Sequence, residues 1–209
     1  MPPLRSLASL AVAVALAACG GDADAGDPAA PPREIEAADL AGLVLRADEA
    51  PEGTDYLAES SGMLMLKDLW NPACCPGQIA AFEEAGFSTG YRSFFQQPGH
   101  SGDPIDARPG VEVASSTAVL FTNATGASRA LRDWYAYYEA PVFEPVGKEG
   151  LGEEAIAVMG SPDAPAEIVF LYLWRIDKLV LSLRVSAGRG SVSLEQVRTW
   201  VDRMDARAS

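Results

Sequence analysis

Histidine is almost absent from the chain, which carries only His100 among 209 residues. Imidazole-based catalysis therefore has one possible carrier. A closed zinc site would have to be completed by carboxylates, which are poor company for thiolates. Cysteine is nearly as scarce, with Cys19 and the adjacent pair Cys74 and Cys75, so a scaffold of several disulfides is excluded. Positive charge is also short: 16 Lys and Arg face 29 Asp and Glu, a net charge of −13. Such a chain repels nucleic acid and anionic lipid head groups alike. Long apolar runs are missing as well. The stretch from Leu7 to Ala18, broken only by Ser9, falls well short of the roughly 20 residues that a membrane-spanning helix needs.

That stretch is nonetheless informative. Arg5 precedes it, and a positive start followed by a short apolar run is the pattern of a signal peptide over residues 1–18. Its end, Leu16-Ala17-Ala18-Cys19, resembles the lipobox of bacterial lipoproteins. The resemblance implies diacylglycerol on the Cys19 sulfur, cleavage before Cys19 and acylation of the new amino terminus. Several acyl chains on one residue hold a membrane nearly permanently, since each buried CH₂ contributes about 0.8 kcal/mol. The expected partner is thus a membrane, reached through lipid rather than through a basic face. Losing Arg5 with the leader leaves 15 basic residues against 29 acidic ones, or −14.

Residues 19–34 begin with Gly, Ala, Asp and Pro and carry no large side chain before Pro32, so they are expected to act as a flexible acidic tether. Asp22, Asp24 and Asp27 resemble a calcium loop only by letters, because Gly26 takes a ligand position and no bidentate glutamate follows at the required distance. Residues 35–209 then form one globular domain of ordinary size.

Within that body, Leu40–Leu45 is an apolar run whose period does not separate helix from strand. Pro76, Ile79, Phe82 and Ala85 predict a short helix stopped by Gly86. Tyr91–Phe95 reads as a strand, and the Gly-, Pro- and Asp-rich 97–110 as a loop. The β-branched run Val111–Phe121 predicts a strand. Ala127, Leu131, Trp134 and Tyr138 then predict an amphipathic helix ended by Pro141. Leu151–Met159 reads as a short strand, and Ile168–Trp174 as a central strand covered on both faces. Leu179, Leu181, Leu183 and Val185 alternate with Val180, Ser182 and Arg184, the period of a strand with one buried face, paired to its predecessor as a hairpin. Ser193 and Gln196 fit a capping box. Leu194, Val197, Val201 and Met204 form the inner stripe of a last helix, with Trp200 near its edge. This order predicts an α+β fold, an antiparallel sheet with helices packed on one face.

The segments 47–53 (ADEAPEG), 120–131, 150–155 (GLGEEA) and Leu173-Trp174-Arg175 leading into Leu179–Leu183 resemble a diffuse group of uncharacterised bacterial extracytoplasmic lipoprotein domains. The body is also similar, at a distance, to the sensor domains of mycobacterial receptor kinases. Those typically carry two disulfides, which this chain cannot form. Neither resemblance implies a catalytic residue or a cofactor.

Candidate sites are few. Cys74 and Cys75 fit a vicinal disulfide, two partly buried thiols, or a soft-metal or redox site, and the expectation is a vicinal disulfide without an enzymatic role. Trp134, Tyr135 and Tyr138, with Tyr137, fit either the lining of an apolar ligand pocket or a core with tyrosines at its margins. His100, Ser101 and Asp103 lie too close in sequence, between prolines, to act as a triad. Gly150-x-Gly152-x-x-Ala155 matches a dinucleotide fingerprint by letters but leads into a strand instead of a helix. Asn123-Ala124-Thr125 is a glycosylation sequon by letters only. Glu83-Glu84 and Glu153-Glu154 diverge as neighbours and read as solvated surface. No metal and no cofactor are expected. The functional expectation is a membrane-tethered, non-enzymatic binding or sensing domain outside the cytoplasm. The alternatives are a thiol-redox enzyme or hydrolase and a structural envelope component.

Overall fold

The apolar run Ile168–Trp174 becomes the interior of a ten-residue strand, and the alternating run after it forms its antiparallel partner. Asp177 makes the turn between them at φ 49°, a conformation that Asp tolerates better than most residues. In the computed structural model the first half of the chain comprises α1 (Leu40–Leu43), β1 (Asp55–Tyr56), β2 (Gly62–Leu64), α2 (Leu66–Leu69), α3 (Pro76–Glu84), β3 (Phe87–Gln96) and β4 (Val111–Phe121). The second half comprises α4 (Ala124–Tyr138), β5 (Phe143–Pro145), β6 (Glu154–Gly160), β7 (Glu167–Ile176), β8 (Leu179–Gly188) and α5 (Leu194–Ala208). The structure describes residues 34–100, 109–138, 142–161 and 166–209, all within the compact unit 33–209. The leader, Cys19, the tether as far as Arg33, Ser101, Asp103, Pro104 and Pro141 lie outside the described residues.

Among the described residues, eight strands join one antiparallel sheet in the order β1-β3-β4-β8-β7-β6-β5, with β2 also pairing with β3. The fold is therefore α+β with an antiparallel sheet. The helices divide between the two faces, where the sequence pattern placed them on one. The reason lies in β7, which is apolar both ways. Phe170, Tyr172 and Trp174 enter one core with Leu181, Leu183 and Val185 of β8, closed by Leu40 and Leu43 of α1 and by Val197, Val201 and Met204 of α5. Leu171 and Leu173 enter the other with Val119, Val158 and Val180, closed by Phe82 of α3 and by Ala127, Ala130, Leu131 and Trp134 of α4. A strand with two apolar faces needs cover on both.

Local details follow the sequence closely. Ser193 caps α5 reciprocally with Gln196, as the capping box predicts. Leu194, expected in the inner stripe, is instead 39 % exposed, since it sits at the first helical position next to the cap. Asn123 of the apparent sequon is a helix cap, its side-chain carbonyl accepting from the Gly126 N–H at 2.8 Å. Gly126 itself lies where a Cβ would run into the Ala85 carbonyl, so α4 crosses the end of α3 at backbone contact. Of the paired glutamates, Glu83, Glu84 and Glu153 lie on the exposed surface, where Glu84 pairs with Arg129 and Glu153 with Arg175, while the half-buried Glu154 meets Arg132 and Arg175. Arg207 near the end of α5 holds both oxygens of Glu49 at 2.8 and 2.9 Å and also donates to the Val44 carbonyl, binding the N-terminal segment to the last helix.

Candidate functional site

Helix α4 and α3 cover only part of their face of the sheet. Beneath them lie Val119, Phe121, Val180, Leu171 and Leu173. Side chains of a strand share a face at every second residue, so the same face continues along β4 as Thr117 and Ser115 and along β8 as Ser182, Arg184 and Ser186. The register sets these in rows. Arg92 of β3 stands opposite Thr117, which stands opposite Ser182. In the next row Phe94 faces Ser115, and Ser115 faces Arg184. Directly opposed residues hold their Cβ atoms about 4.5–5.5 Å apart. Past the apolar patch, then, the floor of the sheet turns into hydroxyls and guanidinium groups.

These side chains are sheltered. Thr117 is 3 % exposed and Ser182 4 %, and Arg184 is half-buried. The Arg92 Nε donates to the Ser60 carbonyl at 3.0 Å, and its guanidinium lies 5.9 Å over the Phe94 ring. Burial lowers the Arg92 pKa, and the charge of Asp68 works against that shift. Ser186 donates to the buried Glu167 carboxylate at the far end of the face. Tyr138, in the last turn of α4, borders the floor. Burial raises its phenol pKa, while the charge of Arg184 and the nearby Trp134 indole N–H act the other way. Such a floor is rich in donors and suits recognition of a polar group.

The aromatic helix meets the cysteine pair at the edge of this region. Cys74 and Cys75 both donate their backbone N–H to the Asn71 carbonyl, and the Ala73 N–H is held by the Asn71 side chain. Cys75 then serves as the N-cap of α3, with Pro76 at the first position. The two sulfurs are bonded to each other, with Cys74 exposed and Cys75 4 % exposed. The Tyr137 hydroxyl lies 3.8 Å from the Cys75 sulfur. Trp70 packs edge-on against Phe82, Trp134 and Tyr137, with centroids 5.6, 6.1 and 4.9 Å apart. Trp134 is thus a core residue, while Tyr135 and Tyr138 pack partly buried at its border.

Other candidates are dispersed. His100 sits in the turn after β3, its carbonyl accepting from the Gln96 amide. Gly152 is a positive-φ turn residue and Ala155 lies in β6, so the dinucleotide-like letters form a turn and a strand. Among the described residues no group of three or more His, Cys, Asp or Glu is placed to hold a metal ion. On the opposite face, a cavity of about 440 Å³ is bounded by Tyr172, Leu194 and Arg198.

Sequence reasoning missed the polar floor because it read Ser182 and Arg184 as a solvated face. The available signal was the hydroxyl-dense stretch Ser115-Ser116-Thr117 on one predicted interior strand beside Ser182 and Ser186 on another. Polar side chains that face each other between interior strands have a covered side to line.

No protein-family model matches the chain, and no curated protein matches it. Among solved structures it is similar in fold to the extracellular domain of PknH from Mycobacterium tuberculosis, with a TM-score of 0.53 and 11 % identity, over 85 % of this chain and 98 % of that one. Among the described residues, no helix is long and apolar enough to cross a membrane.

Proposed function

We propose that this chain is an exported lipoprotein, anchored through Cys19, whose globular body is a non-enzymatic binding domain outside the cytoplasm. Its ligand site is the polar half of the sheet face bordered by Tyr138. The lipobox supports the anchor, and the fold shared with an extracellular domain supports the location. The observation that carries the binding role is the row of Thr117 and Ser182, both more than nine-tenths buried, beside Arg184. None of the three side chains makes a hydrogen bond to another described residue. Neither hydroxyl is among the enclosed polar atoms that lack a partner, so both reach the surface of the face, where a ligand can bond them.

The test uses the mature chain carrying Cys19→Ser and a library of fluorinated polar fragments read by ligand-observed NMR. Fragments that bind should be displaced by filling the floor with Ser182→Phe, in a variant whose amide spectrum remains dispersed. If every hit survives in the filled variant, the site lies elsewhere. A folded Cys74→Ser, Cys75→Ser double variant that loses a measurable redox activity would favour the thiol-redox alternative, which rests on the exposed sulfur of Cys74.

A further inference from the structure

Most of the half-buried arginines in this acidic molecule are engaged, Arg92 by the Ser60 carbonyl and the others by carboxylates. Arg129, Arg132, Arg175, Arg198 and Arg207 each have an acidic partner within ion-pair distance. Arg184 alone of the half-buried arginines among the described residues has neither an ion pair nor a hydrogen bond. It stands on β8, between β4 and β7, and its side chain leaves the sheet on the α4 side among hydroxyls. Ser115 is its direct neighbour across the β4 pairing, Ser182 and Ser186 flank it along β8, and Thr117 is diagonal to it. Glu167, on the same face, is engaged by Ser186. Glu167 also lies four residues along β7 from Leu171, the partner of Arg184, or about 13 Å at strand rise. A guanidinium that is half-buried and unmatched in so acidic a protein is held ready for an anion from outside the chain.

The surroundings add directionality. The charge of Arg184 acts on the Tyr138 hydroxyl, so the phenol stands near the guanidinium, and a phenol O–H can donate to an anion. The phenol, the guanidinium fork and the hydroxyls of Ser115, Thr117 and Ser182 together make a donor set that no carboxylate among the described residues faces at that level of the sheet. Charge-assisted bonds of this kind are stronger than neutral ones and favour carboxylate or phosphate geometry. Partial removal from water strengthens them further.

We infer that the polar half-face recognises a small ligand by a carboxylate or phosphate group seated on Arg184, with Tyr138 donating beside it. This rests on the reading of that face as the ligand site.

Two probes with one ring each, phenyl phosphate and benzyl alcohol, test it by titration into the mature Cys19→Ser chain. The signals followed are the Arg184 Nε–Hε resonance and the amides of residues 115–117 and 182–186. Phenyl phosphate should shift them saturably, and benzyl alcohol should bind about tenfold more weakly or not at all. Arg184→Gln should weaken phenyl phosphate by about tenfold and bring the two probes together, with the remaining amide spectrum unchanged. Arg184→Lys, which keeps the charge and loses the fork, should fall between them. If both probes shift this face alike, or Arg184→Gln binds phenyl phosphate as tightly as the parent, the anion assignment is wrong while the face remains a site. If neither probe moves this face, the assignment and the reading of the face both fall.

Discussion

Tyr172 illustrates how much a single atom can reveal. It is fully buried on β7, yet its hydroxyl has no hydrogen-bond partner among the described residues. An unpaired buried hydroxyl contributes nothing favourable and costs its lost hydration. Tyr172→Phe should therefore leave stability unchanged or raise it by up to about 1 kcal/mol. A loss above about 1 kcal/mol in reversible denaturant unfolding would show that the hydroxyl is satisfied after all. Asp205 on α5 is a second case. Burial holds its carboxyl above the usual range, opposed by the Gly152 N–H and by the Trp174 indole N–H, which faces the carboxylate without good hydrogen-bond geometry. A carboxyl whose pKa rises on folding binds its proton more tightly in the native state. Its favourable contribution is complete below the unfolded pKa, near 3.9, and is lost as pH rises through the higher folded value. Asp205→Asn should raise the melting temperature at pH 7, and the gain should vanish below about pH 4. A gain of equal size at both pH values would contradict this linkage.

At the scale of elements, β8 carries the most consequence. Leu181 is fully buried, opposite Trp174 of β7 and Ala118 of β4. Leu181→Ala should cost about 2–5 kcal/mol by equilibrium unfolding, as large-to-small core changes do. A loss below about 1 kcal/mol would mean that this face of the hairpin does not meet a core. The elements with strong periodicity were legible from sequence alone. Val111–Phe121 is a strand, the spacing of Ala127, Leu131, Trp134 and Tyr138 is a helix, and Gly86 at φ 80° ends α3. Strands β1, β2 and β5 were not legible, because two or three residues carry no period and owe their conformation to the edges of β3 and β6. The second face of β8 was misread for a related reason. Alternation reports which residues share a face but not what lies over it, and α4 was needed to show that Val180 is core while Ser182 and Arg184 lie beyond it.

For the whole molecule, the two helical covers and the single sheet explain stability without the cysteine pair, which caps one helix at the periphery. The candidate site was only half legible. Tyr138 and the aromatic helix were visible in the sequence, whereas Arg184 acquires meaning only through its register with Ser115 and its missing carboxylate. The proposed function needs the chain to be held at a membrane by lipid and not by any face of the fold. At a net charge of −13, the chain is repelled by anionic head groups. The most direct measurement is therefore incorporation of labelled palmitate, with membrane fractionation, for the parent chain and for Cys19→Ala expressed in a bacterial host. The parent is expected to take up label and stay in the membrane. The variant is expected to carry no label, with protein left as unprocessed precursor or released to the soluble fraction. A Cys19→Ala chain that still takes up palmitate and stays in the membrane would contradict the proposed anchor.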